Sequence, residues 1–184
     1  MKGGIRIIAG EWRGRRIAAP AGSTTRPTSD RARETAFSML ASRLGGFTGL
    51  RVADLFAGSG ALGIEALSRG ALSCLFVDRD KAAVEAIRAN VSLLGCTGAD
   101  ISTTALPQLS PASVPFDLIF ADPPYHSDLI ETLLDTLIAK GWVNSGTMLC
   151  LESAVDEDVV ANGWTLVADR KVGKACLRLL TPIG

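Results

Sequence analysis

Arg51-Val52-Ala53-Asp54-Leu55-Phe56-Ala57-Gly58-Ser59-Gly60-Ala61-Leu62-Gly63 passes from a short apolar run through a glycine-rich loop into a helical pattern. Residues 51–56 read as a strand and 62–69 as a helix, with the glycines between them letting the backbone turn tightly. Beyond this unit the same alternation continues: strand 72–77, helix 81–94, a weaker strand 100–104, apolar strand 116–121, helix 129–140 and strand 147–152. Strands that alternate with helices pair in parallel through crossover connections. The expected architecture is therefore an α/β doubly wound sheet with ligands at the carboxyl ends of its strands. Residues 164–171 and 175–180, around Gly173, read as a terminal hairpin on the sheet edge.

A glycine loop that opens a helix suits a nucleotide-type cofactor, because backbone amides approach the ligand and the helix start favours a negative group. Gly58, Gly60 and Gly63 satisfy G-x-G-x-x-G, and Asp78 follows Gly58 by twenty residues at the end of the second strand. That is also the dinucleotide fingerprint, so a nicotinamide enzyme and a methyltransferase are equally compatible with the loop alone. Asp54 favours the second. A carboxylate at the strand end attracts a sulfonium and an ammonium, and repels a pyrophosphate. Asp78 would bind ribose hydroxyls with either cofactor. Both acids also have plainer readings, Asp54 as a loop or helix cap and Asp78 as the N-cap of the next helix.

The strand at 116–121 leads directly into Asp122-Pro123-Pro124-Tyr125. A base's exocyclic amine is a poor nucleophile because its lone pair is delocalised into the ring. Acceptors fixed at its hydrogens, the Asp122 carboxylate and the Pro123 carbonyl, would stabilise the pyramidal nitrogen of the transition state. The two prolines hold those acceptors rigid, and Tyr125 offers a flat face for the base. Alone, the tetrapeptide is equally a rigid turn; after a glycine loop with Asp54 and Asp78 in order, the chemical reading prevails.

The 184 residues suffice for one domain with a sizeable core and a short extension, placed at 1–45 with the catalytic domain at 46–184. A 47% hydrophobic and 21% charged composition is that of an ordinary globular protein. No stretch approaches ~18 consecutive apolar residues, and the N-terminus lacks a secretory pattern, so a cytoplasmic location is expected. Four dispersed cysteines and a single histidine suggest neither a zinc site nor disulfides, and no metal is expected. A zero net charge conceals an uneven split: residues 1–51 carry ten Lys or Arg against Glu11, Asp30 and Glu34. Residues 5–9 and 15–19 read as a hairpin presenting Arg6, Arg13, Arg15 and Arg16, followed by a helix over 30–44 capped by Thr28 or Asp30. A basic arm on an acidic body fits a polyanion.

D-P-P-Y with D-L-F-A-G-S-G resembles the amino-methyltransferases of nucleic acids. R-I-I-A-G-x-x-R-G-R, R-P-T-x-D-R-x-R-E and G-A-L-G-I-E-A-L-S-R-G-A resemble the bacterial family that methylates N2 of one guanine in small-subunit (16S) ribosomal RNA, from Arg6 almost to the C-terminus. The resemblance implies a Rossmann-like class I methyltransferase with a seven-stranded, mostly parallel sheet and helices on both faces. It implies S-adenosyl-L-methionine as donor and a partly assembled small ribosomal subunit as partner. It places Asp54, Phe56, Ala57, Gly58, Ser59, Gly60, Asp78, Arg79, Thr104, Ala105 and Thr28 around the cofactor, and Asp122 to Tyr125 at the reaction. Arg6, Arg13, Arg15, Arg16, Arg26 and Arg31 would grip RNA, while Arg26, Thr28, Asp30, Arg31, Arg33 and Glu34 would sit over the cofactor pocket. Where many methyltransferases carry an acid or amide facing adenine, this chain has Thr103-Thr104-Ala105.

Four further residues attract notice. His126, after the tyrosine, is placed to stack or take a proton; Trp12, between arginines at the hairpin tip, is a candidate base or sugar contact. Trp142 and Trp164 read as core. No cysteine follows a proline in the manner of a thiolate methyltransferase, which favours amino-nitrogen chemistry. Guanine-N2 methylation of ribosomal RNA by a monomer is the expectation. The alternatives are an N6-adenine or N4-cytosine DNA methyltransferase, an NAD-dependent oxidoreductase, and a non-catalytic RNA-binding assembly factor.

Overall fold

Val52, Ala53, Asp54 and Leu55 are all buried, as a strand at the centre of a doubly covered sheet must be. The computed structural model of the chain describes residues 4–21 and 30–183; Arg26 and Thr28 lie outside the described residues. In chain order the elements are β1 (Ile5–Arg6), β2 (Arg16–Ile17), α1 (Asp30–Leu44), β3 (Arg51–Leu55), α2 (Ala61–Ser68), β4 (Ser73–Asp78) and α3 (Lys81–Leu94). There follow β5 (Ala99–Thr103), β6 (Leu118–Ala121), α4 (Leu129–Ala139), β7 (Met148–Ala154), β8 (Trp164–Val172) and β9 (Ala175–Pro182).

Seven strands form one sheet in the order β5-β4-β3-β6-β7-β9-β8. β5 to β7 run parallel and the β8–β9 hairpin pairs antiparallel on β7, so the Rossmann-like class I architecture is present. Alternation along the strands divides the core in two. Phe76, Phe120 and Cys150 face one side with Phe37 of α1, Ile64 of α2 and Ile87 of α3. Leu55, Ile119, Leu149 and Leu151 face the other, with Leu133, Leu134 and Leu137 of α4. Trp142 and Trp164 belong to this second cluster, as expected. No helix among the described residues is long and apolar enough to cross a membrane.

The N-terminal hairpin packs Ile5, Ile7, Trp12 and Ile17 into the first cluster. Its strands are shorter than the expected 5–9 and 15–19, because their outer amides turn to helix side chains. Ile8 and Ala9 donate to the Glu65 carboxylate at 2.8 and 3.0 Å. Asn90 of α3 accepts from the Ala18 amide and donates to the Ala18 carbonyl, both at 2.9 Å. Glu11 donates to the Ser68 carbonyl at 2.7 Å, and Gly10, at φ 83°, presses so closely on it that a Cβ there would lie 1.7 Å from that oxygen. Trp12 corrects the expectation of an RNA contact at the hairpin tip. It is 8% exposed, with its amide on the Ser68 hydroxyl, because the tip folds back onto the end of α2.

Glu65 is the pin of this arrangement. Fully buried, it holds two hairpin amides and the Arg69 guanidinium at 2.8 Å, and Arg69 in turn lies over the Phe37 ring at 4.5 Å. Removing the carboxylate strands three donors that water reaches poorly. Glu65→Ala should lower unfolding free energy by about 3 kcal/mol in urea titrations followed by tryptophan fluorescence; a drop below about 1 kcal/mol would show that the amides find other partners.

Candidate active site

The carboxyl ends of β3, β4 and β6 bring the expected residues to one edge. After Leu55 the chain leaves β3 through Phe56, a non-glycine residue at φ 57°, and the glycine loop begins. Gly58, at φ 55°, donates its amide to Asp78 Oδ2 at 2.8 Å from the adjacent strand end. Gly60, at φ 76°, is the N-cap of α2, where no side chain caps the helix. Asp54 supplies the missing acceptor from beneath, its Oδ2 taking the Gly63 amide at 2.9 Å in the first turn. A Cβ at Gly63 would lie 2.4 Å from the Phe76 ring, so only glycine lets α2 sit this close to β4. The Ala57 amide bonds the Val77 carbonyl at 3.2 Å, and Asn90 donates to the Ser59 carbonyl at 3.0 Å.

Both plain readings of the acids thus come into view. Asp54 does brace a helix start, with 2% of its surface exposed. The N-cap of α3, however, is Asp80, which accepts the Ala82 amide at 2.9 Å, whereas Asp78 ties the glycine loop and the Asp80 amide. Thr104 joins the same edge, its amide on the Asp78 carbonyl at 3.1 Å, with Ala105 following it and Arg79 exposed beside Asp78. Thr104 and Val77 also line a pocket of about 400 Å³, together with Leu109 and Phe116.

The D-P-P-Y loop begins one residue past β6. The Asp122 amide reaches the Leu55 carbonyl at 3.5 Å, so the D-P-P-Y loop starts beside the glycine loop. Pro123 is buried, while Pro124 and Tyr125 are exposed. The Tyr125 ring stands 43% exposed, with its hydroxyl donating to Glu152 Oε1 of β7 at 2.8 Å. Glu152 escapes sequence reading. An acid between Leu151 and Ser153 carries no motif, and only the β6–β7 pairing of Ala121 with Leu151 brings it beside this loop. His126 turns aside, its amide on Glu157 at 3.1 Å and its ring 3.7 Å from Asp156.

Burial raises the Asp54 carboxyl to about 8, with the charges of Asp122 and Asp78 adding to the shift against the Gly63 hydrogen bond. Burial also raises Glu152, the Tyr125 bond pulling the other way. The Tyr125 hydroxyl is pushed upward by burial first and then by Glu152. Burial pushes Cys150 up to about 12, which makes it a poor thiolate.

The basic residues divide by employment. Arg6 pairs with Asp30 at 3.6 Å and Glu34 at 4.0 Å, and Arg33 is fully buried with Nη2 on the Arg6 carbonyl and Asp30, so these four weld α1 to the hairpin. Arg15 and Arg16 donate to the carbonyls of Leu93 and Gly4 while remaining exposed, as Arg13 is. Arg31 lines a cleft of about 530 Å³ between α1 and the β8–β9 turn, together with Arg170 and Lys171. No group of His, Cys, Asp and Glu among the described residues is placed to hold a metal ion.

The chain matches the family model described as Conserved hypothetical protein 95 over residues 5–181. Ribosomal RNA small subunit methyltransferase D of Escherichia coli is 35% identical over 180 residues, which cover 96% of this chain and 89% of that protein. The solved structure of a candidate methyltransferase from Escherichia coli, 35% identical, covers 98% of each chain with a TM-score of 0.84. At 19% identity, the Pyrococcus abyssi tRNA (uracil-54, C5)-methyltransferase, solved with S-adenosyl-L-homocysteine, shares the fold at a TM-score of 0.63 over 80% of this chain and 38% of that one.

Asp54 has a consequence for stability. Its pKa is raised on folding, so the folded chain holds a proton that the unfolded chain has released between about pH 4 and 8. The wild type should lose stability as pH rises through that window, with a slope approaching about 1.4 kcal/mol per pH unit for this one group. Asp54→Asn should flatten the slope in urea titrations at pH 5, 6.5 and 8; parallel slopes would mean that Asp54 is already ionised.

Proposed function

The chain belongs to the Conserved hypothetical protein 95 family, and we propose that it transfers a methyl group from S-adenosyl-L-methionine to the exocyclic N2 of a guanine in small-subunit ribosomal RNA. The observation that carries this reading is the meeting of the two loops, with the Asp122 amide on the Leu55 carbonyl and the Asp122 charge acting on Asp54. The methyltransferase relatives and the resemblance of the Arg6, Arg26 and D-P-P-Y motifs support the substrate class.

The residues fit a cationic cofactor. Asp54 is an acid raised by burial beneath a helix start, and a cation set beside it would return it to the ionised form. S-adenosyl-L-methionine supplies the methyl group and carries such a charge. Asp78, half-buried at the strand end, is positioned for ribose hydroxyls, with Phe56 to Gly60 turning around the ligand and Thr104 and Ala105 meeting adenine through backbone. Arg79 and Thr28 complete the proposed cofactor set.

On the other side, Asp122 and the Pro123 carbonyl accept hydrogen bonds from the amino group, fixing its direction and favouring the pyramidal nitrogen. Tyr125, anchored through its hydroxyl, presents its ring to the base. The amine, once methylated, is acidic enough to release its proton to water. RNA backbone would be held on two flanks, by Arg6, Arg13, Arg15 and Arg16 of the hairpin and by the Arg31 cleft with Arg170 and Lys171, and Arg26 is proposed to join the basic set. Residues 1–45 act as the RNA-binding extension in this reading, and the chain works as a monomer in the cytoplasm.

Purified protein incubated with labelled cofactor and small ribosomal subunits lacking the modification should yield N2-methylguanosine on nucleoside analysis, and duplex DNA none. Asp122→Ala should slow transfer at least ~100-fold with cofactor affinity by calorimetry nearly unchanged; labelled N6-methyladenine from the DNA would refute the reading. Arg170→Glu with Lys171→Glu should weaken subunit binding and lower its salt slope by about 1 for each cation removed, and an unchanged slope would remove that flank from the interface.

A further inference from the structure

Glu152 has two oxygens with different employment. Oε1 accepts the Tyr125 hydroxyl at 2.8 Å; Oε2 is buried and has no hydrogen-bond partner among the described residues. The residue is 8% exposed, so water does not readily meet that oxygen's demand, and an unmet buried acceptor is costly to keep. Its place in the sheet suggests what meets it. β6 and β7 pair in parallel with Ala121 opposite Leu151, so one step further on Asp122 stands beside Glu152. Glu152 continues the Met148 and Cys150 side of β7, the side of α1. The charges of both acids reach the Tyr125 hydroxyl and the Cys150 thiol. The two acids therefore leave neighbouring strand ends, and one of them is bonded to the tyrosine proposed to carry the base.

The unpaired Oε2, next to the proposed amine acceptor Asp122, asks for a donor adjacent to the amine. On its Watson–Crick edge guanine places N1–H next to the N2 amino group. Adenine offers an amine beside an N1 acceptor, and cytosine an amine beside an N3 acceptor; uracil has N3–H but no amine. A carboxylate next to Asp122 meets a donor only in guanine, and faces a repelling lone pair in either of the other amino bases.

We propose that Glu152 is a specificity-determining residue, whose Oε2 accepts N1–H of the target guanine while Oε1 holds Tyr125, so that Asp122 and Glu152 together select guanine over adenine and cytosine. This rests on the reading of the site as a guanine amino-methyltransferase.

2,6-Diaminopurine isolates the N1 contact, since it keeps the N2 amino group and replaces N1–H with an acceptor. The methylated guanine is first mapped with the wild-type protein, and small subunits are then assembled with guanine or diaminopurine at that position. The wild type should prefer guanine by about 100-fold in kcat/KM. In Glu152→Gln the carbonyl still accepts the Tyr125 hydroxyl, which leaves the amide NH2 in the place of Oε2. This variant should slow on guanine and narrow or invert the preference, with cofactor affinity by calorimetry matching wild type. Tyr125→Phe removes the anchor alone and should keep the wild-type ratio despite a lower rate. A Glu152→Gln protein that is slower on both bases with the ratio intact would overturn the proposal and leave Glu152 as a brace for Tyr125. Methyl groups found by the wild type on adenine would instead sink the reading of the site, and this inference with it.

Discussion

The glycine loop between β3 and α2 is gripped from two sides by carboxylates, Asp78 on the Gly58 amide and Asp54 on the Gly63 amide. Loops of this kind owe their shape to permissive residues, and permissive residues alone leave the shape undetermined. Here the strand ends determine it. Asp54 reaches the third residue of a helix whose own N-cap is a glycine, so the acid that a cofactor cation would approach is also the acid that starts α2. The loop's third anchor is Asn90, which binds the Ser59 carbonyl and both polar groups of Ala18. Through that side chain the N-terminal hairpin and the glycine loop share a support.

That shared support explains why the hairpin is so short as a sheet and yet so firmly seated. Two ladder pairs would be marginal alone. The amides beyond them are satisfied by Glu65, Ser68 and Asn90, all on α2 or α3, while Ile5, Ile7, Trp12 and Ile17 close over the helices. Arg33 and Arg6 extend the weld to α1. The basic arm is thus built into the first core cluster, and its exposed arginines stand on a rigid base rather than on a tail.

Periodic and local features are legible in the sequence. The order of strands and helices, the glycine loop, α1 at 30–44 and the terminal hairpin all follow from alternation, caps and breakers, which act within a few residues. The D-P-P-Y turn is legible because prolines after an apolar strand fix a backbone without help from elsewhere. Glu152, Glu65 and Trp12 are not. A lone acid in a strand signals its importance only once the parallel register sets it beside Asp122, some thirty residues earlier. Glu65 looks like any surface glutamate on a helix until the hairpin is laid across it. Trp12 misleads because its arginine neighbours face water while the tip itself doubles back onto Ser68. In each case the deciding contact spans a sequence separation that pattern reading does not cover.

The distribution of charge would divide the task of holding a nucleic acid in the proposed reading. Asp54, Asp78, Asp122 and Glu152 gather at the carboxyl edge, and Asp54 is raised first by burial and then by the charges of Asp122 and Asp78. Such an edge repels phosphate. It accepts what a base or a sulfonium brings, namely hydrogen-bond donors and positive charge. In the proposed reading backbone would be held elsewhere, by the exposed Arg13, Arg15 and Arg16 of the hairpin, of which Arg15 meets the end of α3, and by Arg31, Arg170 and Lys171 in the cleft beside α1. A duplex laid flat across the edge would bring its phosphates against four acids, whereas a single base turned out of its strand presents only its donor edge. The same electrostatics that make these acids costly to bury would thus admit a base and keep the backbone at a distance.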